Sequence, residues 1–119
     1  MIKVFVLIKR REGTSLEEFI DYYEKKHAVL AIKTVPNLKK YVRHYLHPFG
    51  NEVYSMDKIP SFDVVTEVWF DDQKDFEKGM AYLTEPATAK RSAEDEDCLF
   101  ERASIRYHIV EDHETDLSR

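Results

Sequence analysis

The stretch SLEEFIDYYEKKHAVLA, residues 15–31, decides how this chain folds. Leu16, Phe19, Ile20, Tyr23, His27, Leu30 and Ala31 recur at steps of three and four, the period of one apolar stripe down a helix of about five turns. Glu17, Glu24, Lys25 and Lys26 fall off that stripe. Ser15 and Glu18 make an S-x-x-E capping box, in which hydroxyl and carboxylate each satisfy a backbone N–H that the first turn leaves unpaired. His27 is the unusual member, an imidazole where leucine is expected. Pointing inward, it must bond a group such as a backbone carbonyl or line a cavity, and residue type alone leaves both readings open.

Strands flank this helix. Upstream, Ile2–Lys9 alternates Ile2, Val4, Val6 and Ile8 against Lys3, Phe5, Leu7 and Lys9. Downstream, Pro36 and Asn37 end the helix, and Lys39–His47 sets Tyr41, Arg43, Tyr45 and His47 against Val42, His44 and Leu46. FDVVTEVWF, residues 62–70, is a third strand, with Val64, Thr66 and Val68 on one face and Asp63, Val65, Glu67 and Trp69 on the other. Asp71 or Asp72 caps a helix running to about Leu83, Pro86 opens another running to about Asp97, and Arg102–Val110 is the fourth strand. Between the two halves, residues 48–61 carry Phe49, Val53, Tyr54, Met56 and Ile59, which marks a lid over a pocket or an arm onto a neighbour. Residues 1–110 read as one domain and 111–119 as a polar tail.

The order strand, helix, strand, strand, helical region, strand predicts an α+β, ferredoxin-like βαββαβ chain with an antiparallel four-stranded sheet. Helices in that topology cover one side only. Strands one and three are apolar on both sides, with Val4, Val6, Ile8, Val64 and Val68 on one and Phe5, Leu7, Val65 and Trp69 on the other. The uncovered side predicts a homodimer packed sheet to sheet, a dimeric α+β barrel.

Composition narrows the function. The 119 residues carry a net charge of −5, with Lys and Arg outnumbered and ungathered, which argues against nucleic acid and anionic membranes as partners. The opening apolar run is too short to span a bilayer and is broken by Lys3, and the single cysteine, Cys98, makes no internal disulfide; a cytoplasmic protein is expected. His44, His47, His108 and His113 lack zinc spacing, Glu94–Asp97 lacks the spacing of a calcium loop, and no phosphate-cradling glycine motif occurs. Zinc and calcium are therefore not expected. Asp63 and Glu67 are expected to pair with Arg43, Arg102 or Arg106 across an interface.

The runs FIDYYEKKHAVLA, LKKYVRHY and FDVVTEVWFDD, with Pro36 between the first two and EDEDCLF before the last strand, resemble the EthD-like family of the dimeric α+β barrel superfamily. The resemblance covers nearly all of residues 2–110, and its most specific element is Tyr23-x-x-x-His27 combined with Glu67-x-Trp69-Phe70. It implies cofactor-independent proton transfer beside a carbonyl, in a pocket between helices and sheet, as in the related muconolactone methylisomerases and fungal aromatic-polyketide dehydratases. In the methylisomerases the histidine matching His27 and the tyrosine matching Tyr41 line that pocket. This chain departs from them at Val68, where they carry cysteine, and in lacking their histidine before strand three.

These readings converge on a small-molecule site. His27 and Tyr41 are the expected catalytic pair, the imidazole moving a proton and the phenol holding the carbonyl oxygen. Tyr23, Arg43, Leu30, Val6, Ile8 and Val68 are expected to bind substrate. His44 stands beside them, because a one-residue slip of strand two would turn Tyr41 away and His44 inward. The expected function is a lyase or isomerase acting on a small, largely apolar carbonyl, lactone or aromatic-polyketide compound. A non-catalytic ligand-binding accessory protein is the alternative, and a cofactor-free oxygenase the weaker one.

Overall fold

Strand β1 (Ile2–Ile8) buries Val4, Val6 and Ile8 and leaves Phe5 and Leu7 half-buried on its other face, as period-two alternation requires. The computed structural model describes residues 1–49, 61–83, 85–86, 90, 100–101 and 104–118. Most of the expected lid or arm (50–60), most of the helix expected after Pro86, the acidic run Glu94–Asp97, Cys98 and Arg102 lie outside them. Around β1 the sheet has the order β2-β3-β1-β4, with β2 at Lys40–Tyr45, β3 at Val64–Phe70 and β4 at Arg106–Ile109. Every pairing is antiparallel, which is the ferredoxin-like arrangement.

Helical structure runs from Leu16 to Thr34, three residues past the expected end. Ser15 caps it with the hydroxyl half of the capping box, its Oγ accepting from the Glu18 N–H at 3.1 Å, while the Glu18 carboxylate accepts from that same hydroxyl at 3.1 Å. The rod ends where Val35 turns extended (φ −97°, ψ 112°), because the ring of Pro36 disfavours helical backbone in the residue before it. Asn37 then adopts φ 66°, a left-handed conformation that asparagine tolerates, and reverses the chain into β2.

The rod is not uniform. α1 (Leu16–Tyr22) and α2 (Ala28–Thr34) are joined by a π-helical turn over Tyr23–His27, in which the Ala28 N–H reaches the Tyr23 carbonyl, five residues back. A π turn holds one more residue than an α turn, so it resets the phase of the helix beyond it. Ala28, off the stripe by α-helical counting, is buried, and Glu24 is half-buried instead of solvated.

The strands are shorter than the sequence pattern predicts, chiefly β4. It starts at Arg106 because Ser104 is held in a turn, its N–H and hydroxyl both donating to the Glu101 carbonyl (2.9 and 2.6 Å). Asp63 pairs with neither Arg43 nor Arg106. It is buried at the end of β1, accepting from the Arg10 N–H at 2.8 Å and from Arg10 Nη1 at 3.1 Å. Glu67 accepts from Trp69 Nε1 and bonds His44 Nε2 at 3.0 Å, on the sheet face away from the helices.

Helix α3 (Gln73–Leu83) is capped by Asp72, whose Oδ1 accepts from the Asp75 N–H at 2.8 Å. It lies so close to the sheet that a Cβ on the buried Gly79 would sit 2.8 Å from Cε1 of Phe70, a fully buried ring also in contact with Phe76. Gly79→Ala should therefore destabilise the fold. Removing a mid-helix glycine gains about 1 kcal/mol, whereas forcing a methyl against a fixed ring costs about 1–3 kcal/mol. Thermal unfolding should show a melting temperature lowered by a few degrees; an increase would mean that Phe70 yields freely.

Candidate functional site

A cavity of about 100 Å³ lies between the helical rod and the sheet. The sheet contributes Val4, Val6, Ile8, Thr66 and Val68, and the rod contributes Tyr23, His27, Leu30 and Thr34. Tyr41 closes it from β2, Phe100 from the segment before β4, and Ile105 and Tyr107 from β4 and its approach. The wall is apolar except for His27 and a few hydroxyls, the usual make-up of a small-molecule site.

The register of β2 decides which of its residues reach the cavity. Tyr41 pairs with Val68, Arg43 with Thr66 and Tyr45 with Val64, so all three share the helix-side face. His44 pairs with Val65 on the opposite face and bonds Glu67, which removes it from the candidate site. Arg43 is on the correct face but does not line the cavity. Its Nε donates to Glu24 at 2.9 Å, its Nη2 donates to the same carboxylate, and its guanidinium lies 4.8 Å from the Tyr41 ring centroid. The hydroxyl of Tyr45 also donates to Glu24. Arg43 therefore stands behind Tyr41, neutralised by Glu24, and is not placed to bind a ligand directly. Of the expected residues, the fold brings His27, Tyr41, Tyr23, Leu30, Val6, Ile8 and Val68 to one cavity.

His27 is held by rings. Its imidazole makes edge contacts with Tyr23 and Phe100, each at 4.8 Å between centroids. Three hydroxyls form a row beside it: Tyr41 Oη donates to Tyr23 Oη at 3.4 Å, and Tyr23 Oη lies 2.6 Å from Thr66 Oγ1. Burial pushes the Tyr41 phenol up to about 12, against the pull of the Tyr23 bond and the Arg43 charge, and burial raises Tyr23 well above the ordinary phenol range. Both phenols stay protonated at neutral pH and serve as hydrogen-bond donors. The imidazole, by contrast, has ring nitrogens that can take a proton and return it. The sequence does not single out Thr66 or Phe100, since a β-branched residue in a strand and a phenylalanine after a leucine carry no mark of a site.

The sequence profile of the EthD domain matches residues 11–103. The chain belongs to the EthD domain family. Solved structures resemble this EthD chain over nearly its whole length. An ethyl tert-butyl ether d (EthD) family protein of Bacillus halodurans superposes with a TM-score of 0.63 at 18% identity, covering 95% of this chain and 99% of that one. HapK of Hahella chejuensis gives 0.59 at 12% identity, covering 100% and 99%. A protein of Arabidopsis thaliana gives 0.59 at 12% identity, covering 98% and 100%. At such identities the likeness is one of fold. No curated protein matches the sequence significantly. Among the described residues of this EthD domain, no helix is long and apolar enough to cross a membrane, and no group of three or more His, Cys, Asp or Glu is arranged to hold a metal ion.

The Glu24–Arg43–Tyr45 cluster should make the stability of the EthD domain depend on pH. Hydrogen bonds from Arg43 hold the Glu24 carboxyl below its ordinary range, helped by Tyr45 and opposed by burial. A carboxyl depressed in the folded state stabilises the fold above its unfolded value, near 4.5, and loses that contribution as pH falls through the folded value. Glu24→Gln should lower stability at pH 7 by about 1 kcal/mol, the upper end for a part-exposed pair. Below pH 4.5 the melting curves of the two proteins should converge; a constant gap down to pH 2.5 would sink this assignment.

Proposed function

We propose that this EthD domain binds a small, largely apolar carbonyl compound and moves a proton next to that carbonyl without a cofactor, as a lyase or isomerase. The observation that carries the reading is the shared cavity. His27 presents an imidazole to the space into which Tyr41, kept protonated by burial, presents a phenol. A ligand that spans the two, with its carbonyl oxygen at Tyr41 and its neighbouring C–H at His27, would have the enolate charge forming on oxygen meet a donor as the base takes the proton. Its test needs no knowledge of the natural substrate. Ring-sized enolisable ketones such as cyclohexanone, incubated with the protein in D2O, should take up deuterium at the α carbon faster than in buffer, read by NMR.

One observation favours the accessory alternative. Among the described residues no buried side-chain nitrogen or oxygen lacks a partner, so the cavity also suits a ligand carried without chemistry. Binding with no α-exchange would favour that reading.

The working unit we propose is a homodimer. Its contact is the sheet face opposite the helices, where Phe5, Leu7, Val65 and Trp69 are half-buried and, among the described residues, no helix lies over them. The centre of that face is polar but paired: burial would raise the Glu67 carboxyl, yet bonds from His44 and Trp69 outweigh it and leave the group below its ordinary range.

A further inference from the structure

Thr66 is the residue whose chemistry the packing of the cavity does not explain. It stands in β3 between Val64 and Val68, opposite Val6, and is 4% exposed. A valine would fill that place without bringing a hydroxyl into an apolar wall. A buried hydroxyl costs stability unless bonded, and Thr66 has its bond in Tyr23, itself 1% exposed, whose hydroxyl lies 3.4 Å from that of Tyr41. Thr66, Tyr23 and Tyr41 therefore form a row that begins in the sheet, crosses to the helical rod and ends on β2 at the cavity.

Donation along such a row can run either way. In the present structure Tyr41 donates to Tyr23, which engages its proton within the row, through a bond that is long for two hydroxyls. A carbonyl oxygen arriving beside Tyr41 takes that proton as a hydrogen bond, and the Tyr41 oxygen is then open to accept one. Tyr23 can supply it by turning its own O–H toward Tyr41, provided that Thr66 donates to Tyr23 in return. A threonine hydroxyl can serve both directions, as acceptor before the ligand arrives and donor after, whereas a valine can serve neither.

We propose that Thr66 is a positioning residue, acting through Tyr23 on Tyr41, and that the three hydroxyls form a reversible relay that turns outward to grip a ligand carbonyl. Each donation polarises the next, so the phenol at the end of the row donates more strongly than it would alone. This rests on the carbonyl reading of the cavity, and the test separates the two.

The test uses the Thr66→Val and Thr66→Ser variants with two probes. Cyclohexanone labelled with 13C at the carbonyl should move downfield on binding the wild-type protein. In Thr66→Val that displacement should fall by about half with the fold unchanged by circular dichroism, and Thr66→Ser should restore it. An equal displacement in wild type and Thr66→Val overturns the relay while leaving the carbonyl site standing. The second probe is ligand-free: tyrosine labelled at Cζ, with Tyr41 assigned by Tyr41→Phe. Its resonance should shift in Thr66→Val and return in Thr66→Ser, because the hydrogen bonds that join Thr66 to Tyr41 run through Tyr23. If cyclohexanone fails to bind even the wild-type protein, the carbonyl reading falls and the Cζ resonance alone decides the relay. A resonance that stays in place in Thr66→Val overturns it.

Discussion

His27→Gln should abolish α-deuterium exchange into a bound ketone, lowering the rate by about 10²–10⁴, while leaving the fold and ketone binding nearly unchanged. Glutamine spans a similar length and keeps a donor and an acceptor, so it can fill the space beside the Tyr23 and Phe100 rings. It cannot accept a proton at neutral pH. The substitution thus separates holding the ligand from moving its proton, which His27→Ala would confuse by opening a gap between two rings. Rates by NMR in D2O, with binding followed separately, give the comparison. Full exchange by His27→Gln would remove the imidazole from the reaction and leave the cavity as a binding site.

The second large effect concerns assembly. The wild-type protein should scatter light as twice its 14.1 kDa chain mass at micromolar concentration, and Val65→Asp should run at the chain mass. Val65 lies opposite Leu7 and His44 on the sheet face away from the described helices, outside the core formed by Val4, Val6, Phe19, Tyr23 and Phe70. A two-fold contact carries any substitution twice. One unpaired charge in a buried contact costs about 3–5 kcal/mol, so dimerisation should weaken by at least two powers of ten. The monomer should remain folded, since its own core is untouched. A wild-type chain that stays monomeric at these concentrations refutes the sheet-to-sheet dimer.

Legibility in the sequence followed how tightly a residue's period is tied to burial. The Val4, Val6, Ile8 row and the stripe through Phe19 and Tyr23 were readable because each faces one core, and they sufficed for the ferredoxin-like order of elements. Strand β2 was harder, since a tyrosine on one face and a histidine on the other suit a pocket equally well. Its register is set by distant backbone bonds, Lys39 N–H to the Trp69 carbonyl and Leu46 N–H to the Asp63 carbonyl, which no local pattern reveals. The π turn has no residue signature. Its consequence, Glu24 facing Arg43 and Tyr45, was detectable only as a strand face bearing a cation in want of a counter-charge.

The cavity also bears on how the natural ligand can be found. A space of about 100 Å³ walled mostly by apolar side chains offers a ring-sized molecule a place to bury its surface. A molecule that fills it binds the native chain and not the unfolded one, and raises the unfolding temperature in proportion to the logarithm of its concentration over its dissociation constant. The protein is thereby its own detector. Screening metabolites by thermal shift ranks them by fit before any reaction is known, and a Tyr41→Phe chain screened in parallel separates compounds held by their oxygen from those held by shape alone.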